Sequence, residues 1–160
     1  MTILSVENFD QIILRKNFFT EEECFETILR YHRLLQTSYL EFDNIDKKIR
    51  DSKTFLFDDP ILRKKFGHEI MEFQLTEYVR NGFYSWHTDV IKWTRFIRKK
   101  SYTVLLNDSF TGGEMEFDTF GIMNMSVGDV VSFDPYIRHQ IRPVTSGVRY
   151  SLVAWAMDKK

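Results

Sequence analysis

Ile70-Met71-Glu72-Phe73-Gln74-Leu75-Thr76-Glu77-Tyr78 is followed by Val79-Arg80-Asn81-Gly82 and then by Phe83-Tyr84-Ser85-Trp86-His87-Thr88-Asp89. Two runs rich in apolar, aromatic and β-branched residues flank a turn signal at Arg80-Asn81-Gly82, the pattern of paired strands. The same grammar continues to the C-terminus. Strands are expected at Ile70–Tyr78, Gly82–Asp89, Ser101–Asn107, Glu114–Phe120, Met123–Val127, Val130–Phe133, His139–Val144 and Arg149–Met157. Thr111-Gly112-Gly113, Gly128-Asp129, Asp134-Pro135 and Ser146-Gly147 punctuate them. Eight short, closely spaced strands point to a barrel or jelly roll.

The first 69 residues read differently. Ile12–Phe19 is a short strand or extended lead-in. Thr20-Glu21-Glu22-Glu23 matches a capping box, and Cys24, Phe25, Ile28, Leu29, Tyr31 and Leu35 recur at helical spacing. A helix from about Glu21 to about Thr37 with one buried face follows. Asn44–Lys53 is polar and reads as a loop. Asp59-Pro60 is a cap with proline at the first helical position, so a short helix runs through Phe66 to Gly67. The expectation is therefore one domain over 1–160, mainly β with N-terminal helices, in which 1–69 is helical support and 70–160 the β core.

A chain of 160 residues suits one domain. Aromatic residues make up 16%, fifteen of them Phe, which favours a β-rich core. The net charge of −1 gives no sign of a nucleic-acid partner. The single cysteine, Cys24, excludes an internal disulfide and any Cys-based zinc site. No apolar run is long enough for a membrane span, and Glu7 and Asp10 fall where a signal peptide would be apolar. A soluble, cytoplasmic protein with no membrane partner is expected; the oligomeric state is unreadable.

The chemistry begins at Trp86-His87-Thr88-Asp89. On a strand, residues i and i+2 share a face, so His87 and Asp89 can present an imidazole and a carboxylate together. Alone the pair is weak and reads first as a polar surface pair. His139 follows Gly128-Asp129-Val130-Val131-Ser132-Phe133-Asp134-Pro135, a strand and a turn. Two imidazoles and one carboxylate with open positions suit non-haem Fe(II), although zinc accepts the same donors. Arg149 then opens the otherwise apolar Arg149-Tyr150-Ser151-Leu152-Val153-Ala154-Trp155. A guanidinium inside such a strand is costly unless an anion meets it, and its planar fork suits a carboxylate. Ser151 shares its face and offers a hydroxyl. An internal Asp or Glu partner for Arg149 is the competing explanation.

Taken in order, His87-x-Asp89, His139 and Arg149 resemble the 2-oxoglutarate/Fe(II) oxygenases of the prolyl 4-hydroxylase type, including short bacterial and phage members. The resemblance runs from about Glu72 to Asp158 and includes Gly112-Gly113-Glu114-Met115 and Pro143-Val144-Thr145-Ser146-Gly147-Val148-Arg149. It implies a double-stranded β-helix, a cupin-like jelly roll with helices on its major sheet. It further implies His87, Asp89 and His139 as ligands of Fe(II), and Arg149, with Ser151, as the anchor of 2-oxoglutarate. Tyr78 is similar to a family tyrosine that helps hold 2-oxoglutarate, and Tyr84 sits where relatives place a cosubstrate- or substrate-pocket residue. For both, packing of the barrel is the alternative. The implied reaction consumes O2 and 2-oxoglutarate, releases succinate and CO2, and hydroxylates a C–H bond, with ascorbate as a reductant.

The resemblance leaves the substrate open. Peptidyl proline leads by analogy of fold; another protein side chain, a free amino acid or other small molecule, and a nucleobase are the rivals. Lys92-Trp93-Thr94-Arg95-Phe96-Ile97-Arg98-Lys99-Lys100 carries five cations and no acid. It reads either as a capture surface for an acidic or extended substrate or as a solvated loop anchored by its aromatic residues. A barrel that binds metal and a small acid without turnover, and a scaffold that has lost the chemistry, are the non-enzyme readings. The intact set of four residues argues against the scaffold.

Overall fold

A computed structural model of the chain describes residues 6–9, 11–38, 49–92 and 94–160. Strands β1 (Val6–Phe9) and β2 (Ile12–Arg15) lead into helix α1 (Glu21–Tyr31). Thr20 caps α1 reciprocally, accepting from Glu23 N at 3.0 Å while Glu23 Oε1 accepts from Thr20 N at 3.0 Å. The helix ends at Tyr31, six residues before the expected Thr37. The Nδ1 of His32 lies 3.1 Å from Ile28 O, which also accepts from the His32 backbone N–H, and 3.2 Å from Leu29 O, the carbonyl that a further helical residue would have used. A 3-10 turn over His32–Leu34 follows, and Gln36–Thr37 becomes strand β3.

The expected loop at Asn44–Lys53 is corrected in part. Residues 44–48 lie outside the described residues, but Arg50–Asp51 is strand β4 and Lys53–Phe57 is β5. These elements are too short to carry a periodic signal; partners define them. β4 pairs with the strand bearing His87, and β5 with the strand ending at Tyr78. Phe55 and Phe57 also stack on Tyr31, with Tyr31 and Phe57 centroids 3.9 Å apart. Helix α2 (Pro60–Phe66) begins at Asp59, whose side chain accepts from Ile61 N and Leu62 N, and ends at left-handed Gly67.

Ten strands complete the chain: β6 (Met71–Tyr78), β7 (Phe83–His87), β8 (Phe96–Leu105), β9 (Phe110–Gly112), β10 (Met115–Phe117), β11 (Gly121–Met123), β12 (Val130–Phe133), β13 (His139–Ile141), β14 (Val144–Gly147) and β15 (Arg149–Lys159). The major sheet has the order β1-β2-β12-β8-β15-β6-β5-β3, and the minor sheet β11-β10-β13-β7-β4. All pairings are antiparallel, with β14 and β9 forming a separate ribbon. The expected strand at Met123–Val127 is instead Gly121–Met123, since Met123 pairs with Met115.

Both faces of the major sheet are covered, which is why its central strands read as apolar runs. Phe73, Leu75, Val104, Leu152 and Ala154 face α1 and α2, meeting Cys24, Ile28, Leu62 and Phe66. Of the apolar positions assigned to α1, Phe25 and Leu29 are instead exposed, at 61% and 52%. Ile12, Leu14, Met115, Phe117, Val131, Phe133, Ile141 and Val144 fill the space between the sheets. This architecture, two facing antiparallel sheets with helices outside the larger, is the double-stranded β-helix.

Cys24 is 1% exposed, and burial pushes its thiol up to about 12. The thiolate is the reactive form. Iodoacetamide at neutral pH should therefore leave Cys24 unmodified in native protein and alkylate it in denaturant. Rapid native alkylation, read by intact mass, would contradict this packing of α1.

Candidate metal centre

His87 closes β7 and His139 opens β13, and the two are direct partners across the antiparallel ladder. Their rings stand 4.3 Å apart, centroid to centroid. Asp89 comes two residues after His87 and so returns to the same side. Its N–H donates to Pro135 O at 2.9 Å, fixing the chain just beyond the strand. One ligand atom from each of His87, Asp89 and His139 lies within 4.8 Å of the others.

The tautomers follow from backbone carbonyls, which only accept. His87 Nδ1 lies 2.7 Å from Ser85 O, and His139 Nδ1 lies 3.0 Å from Ile137 O. In the neutral ring each Nδ1 therefore carries the proton, and each Nε2 keeps a lone pair. The Nε2 atoms stand 3.6 and 3.4 Å from Asp89 Oδ1. Three lone-pair atoms thus converge with no donor between them, an arrangement that a cation satisfies. Burial, with His139 alongside, pushes the His87 imidazole well below its ordinary range against the pull of Asp89. Neutral imidazole is the ligating form. Burial works to raise the Asp89 carboxyl, but the attraction of the two histidines in their charged form, with the hydrogen bonds from Ser101 and Trp155, outweighs it and holds the group below the usual carboxylate range.

Two partners of Asp89 were not foreseen. Ser101 Oγ donates to Asp89 Oδ2 at 2.7 Å, and Trp155 Nε1 donates to the same oxygen at 3.1 Å. Their signal was the alternation of β8 and β15, where Trp155 pairs directly with Ser101, Val153 with Thr103 and Ser151 with Leu105, all on the inward face.

Arg149 is 2% exposed at the start of β15. Its Nη1 donates to Ser151 Oγ at 3.2 Å, and its Nε has no partner. Among the described residues no Asp or Glu pairs with it, and burial depresses its pKa with only Tyr78 opposing. The internal carboxylate partner considered above is thus not found. Gly112 and Gly113 both take positive φ, and a Cβ on Gly113 would stand 3.0 Å from Arg149 Cδ. Gly113 leaves room for the arginine stem, and Gly112 for the close approach of the Pro143 carbonyl.

Tyr78 is 3% exposed, with its ring 5.7 Å from the Arg149 guanidinium carbon. Tyr84 goes to the histidines instead. Its ring stacks on His87 at 3.4 Å, and Arg50 covers it at 4.3 Å. Tyr84 and His87 are three positions apart, so a regular strand would put them on opposite faces. A bulge in β7 restores the shared face: two steps on β13, from His139 to Ile141, match three on β7, from His87 to Tyr84.

A cavity of about 540 Å3 opens over these groups. Tyr78, Tyr84, His87, Asp89, His139 and Ser151 all line it. Arg149 does not itself line it, but its neighbours Ser151 and Tyr78 do. The 92–100 segment is not a single loop. Phe96–Lys100 belongs to β8, Lys92 and Arg95 are exposed, Trp93 lies outside the described residues, and Arg98 reaches the cavity wall.

Comparison with known proteins agrees with this geometry. The family described as the 2OG-Fe(II) oxygenase superfamily matches residues 73–157. A PKHD-type hydroxylase of Cupriavidus metallidurans is 37% identical over 60 residues, 34% of this chain and 26% of that protein. The matched stretch thus spans about a quarter of that relative. Among solved structures, a Pseudomonas putida prolyl-4-hydroxylase aligns with TM-score 0.73 at 18% identity, covering 94% of this chain and 93% of its own. A prolyl hydroxylase from Trichoplax adhaerens, in complex with a hypoxia inducible factor oxygen degradation domain peptide fragment, aligns at 0.78 with 15% identity, covering 94% and 85%. The viral collagen prolyl hydroxylase of Paramecium Bursaria Chlorella virus-1, as its 2OG complex, aligns at 0.70 with 18% identity, covering 92% and 96%. At these identities the likeness to the three structures is one of fold.

Proposed function

This chain belongs to the 2OG-Fe(II) oxygenase superfamily, and on that premise we propose that it is a dioxygenase that hydroxylates a C–H bond, with His87, Asp89 and His139 holding Fe(II) and Arg149 holding the distal carboxylate of 2-oxoglutarate. One observation carries the reading. A buried arginine without a counter-anion stands behind the cavity that also contains two imidazoles and a carboxylate with converging lone pairs. A dicarboxylate cosubstrate is the anion this arginine needs.

When bound, the iron supplies a centre at which 2-oxoglutarate and O2 react to give succinate, CO2 and an oxidant for the C–H bond. The chain supplies position and electrostatics. The carbonyls of Ser85 and Ile137 fix the two tautomers. Tyr84 and the aromatic pair Phe117 and Phe133 pack against the imidazoles and limit their rotation. Ser151 keeps Arg149 directed along the inner face of β15, and Tyr78 closes the same end.

For the substrate the reading is a peptide or protein side chain, with peptidyl proline first. The Trichoplax enzyme of the same fold is in complex with a peptide, and the cavity here is open and lined beyond the histidines by Ile49, Leu56, Val90 and Ile91. A hydroxylase of a free amino acid is the second reading, favoured by the Glu72–Arg98 pair in the wall, at 3.4 Å, which can meet a zwitterion. Ascorbate as reductant belongs to the same proposal. No helix among the described residues is long and apolar enough to cross a membrane.

The test is a library of proline-containing peptides and free amino acids, supplied with Fe(II), 2-oxoglutarate, ascorbate and O2. The expected result is succinate formed in step with the gain of one oxygen atom by a peptide. Turnover stimulated by free amino acids alone would move the substrate to the small-molecule class. Metal and 2-oxoglutarate binding without any succinate would make the protein a binding barrel.

A further inference from the structure

The two oxygens of Asp89 have different surroundings. Oδ1 faces His87 Nε2 and His139 Nε2 at 3.6 and 3.4 Å. Oδ2 accepts from Ser101 Oγ at 2.7 Å and from Trp155 Nε1 at 3.1 Å. Two donors occupy the in-plane lone pairs of one carboxylate oxygen, so Oδ2 has nothing left to offer a metal. Both donors are themselves buried, Ser101 at 0% and Trp155 at 5% exposure, and water does not replace them easily.

Arg98 braces the pair. Its guanidinium lies 3.6 Å from the Trp155 ring centroid, and its Nη1 donates to Asp89 O at 3.1 Å. Its presence on this face depends on an irregularity. Ala156 pairs with Lys100 and Met157 with Arg98, so one step on β15 corresponds to two on β8, and Lys99 is the extra residue. In a regular strand, Arg98 and Ser101, three apart, would point to opposite faces. The bulge puts both inside, around one carboxylate. Asp89 is then held at its N–H by Pro135, at its carbonyl by Arg98, and at Oδ2 by Ser101 and Trp155.

We propose that Ser101, Trp155 and Arg98 are positioning residues that hold Oδ2 of Asp89 so that this carboxylate meets the metal through Oδ1 alone. The inference rests on the iron-site reading above and deepens it. A carboxylate free to swing binds through both oxygens and takes a position that a chelating cosubstrate needs. A carboxylate held at one oxygen leaves that position open. The arrangement thus limits the protein to three ligand atoms, the number an oxygenase site of this donor set requires.

The experiment is anaerobic calorimetric titration of metal-free protein with Fe(II), then with 2-oxoglutarate at saturating Fe(II), recording the visible spectrum throughout. Ser101→Ala and Trp155→Phe are each expected to weaken Fe(II) binding by about 10- to 100-fold, the usual cost of removing an outer partner of a ligand. At saturating iron each should also weaken 2-oxoglutarate binding and shift its visible band, because the released oxygen competes for the cosubstrate's position. Ser101→Thr, which keeps the hydroxyl, should stay near wild type. Trp155→Phe keeps a ring beneath Arg98 and removes only the N–H, so it carries the test if the Ser101 variants do not fold. Wild-type Fe(II) and 2-oxoglutarate affinities in folded Ser101→Ala and Trp155→Phe would overturn the proposal. Wild-type protein that binds Fe(II) but never 2-oxoglutarate would instead overturn the functional reading, and the two failures are distinct.

Discussion

Arg149→Met is expected to weaken 2-oxoglutarate binding by about 30-fold or more and, in the same protein, to raise the melting temperature measured without cosubstrate. The two effects have opposite signs because the arginine does opposite things in the two states. Without a ligand it is a guanidinium at 2% exposure with an unpartnered Nε and no carboxylate beside it among the described residues. Its desolvation is offset only by one hydroxyl, Ser151. Methionine fills a similar volume without a charge, and such exchanges of buried charge for packed apolar groups commonly stabilise by about 1–4 kcal/mol. On the proposed reading, bound 2-oxoglutarate gives the guanidinium its anion. Truncating one side of a buried, hydrogen-bonded charge pair costs about 2–5 kcal/mol, roughly 30-fold to several thousandfold in affinity. Thermal melts with and without 2-oxoglutarate read both effects, since a ligand bound only by the folded state raises the melting temperature by an amount that grows with the logarithm of its affinity. A variant less stable without cosubstrate, yet equally protected by it, would assign Arg149 to packing.

His139→Ala is expected to abolish turnover, to below about one thousandth of wild type, because a metal centre contributes several kcal/mol to its reaction and each 1.4 kcal/mol is a factor of ten. His139 is 5% exposed and wedged against Phe133 and Phe117, with Phe133 edge-on at 4.8 Å. The aromatic wall remains in the variant, so the sheet should stay folded by circular dichroism while metal binding disappears. His139 is also the direct cross-strand partner of His87. Its removal leaves His87 and Asp89 on one chain segment, a two-ligand site that no longer surrounds an ion. Substantial turnover in a folded His139→Ala protein would remove the histidine from the metal centre.

The elements legible in the sequence were those whose chemistry is conspicuous in its local setting. His87-x-Asp89 obeys the two-residue period of a strand, and the structure places both side chains on one side. Arg149 stood out as a cation in an apolar run, and the burial that made it conspicuous is what the structure shows. The glycine pair at 112–113 was visible as a turn; that Gly113 clears a path for the stem of Arg149 required the fold. The major sheet was legible because both its faces are covered, giving long apolar strands. The parts that stayed hidden depend on partners or on broken periods. β4 and β5 are short, and pairing with β7 and β6 defines them. The end of α1 was missed because His32 closes it with a side chain where spacing alone would continue it. Tyr84 and Arg98 reach the site only through bulges, in β7 and at Lys99 of β8, each of which reverses the face a regular strand assigns. Ser101 and Trp155 stood in the sequence only as members of strands, and their distances to Asp89 give them a role.

The central claim is that one cavity holds Fe(II) through His87, Asp89 and His139 and 2-oxoglutarate through Arg149. The most direct measurement is an anaerobic spectral titration of metal-free protein, adding Fe(II) and then 2-oxoglutarate, with His139→Ala and Arg149→Met beside the wild type. The account predicts a visible charge-transfer band that needs both additions, is lost in His139→Ala, and requires far more 2-oxoglutarate in Arg149→Met. Folded wild-type protein that binds Fe(II) yet gives no band at any 2-oxoglutarate concentration would contradict it.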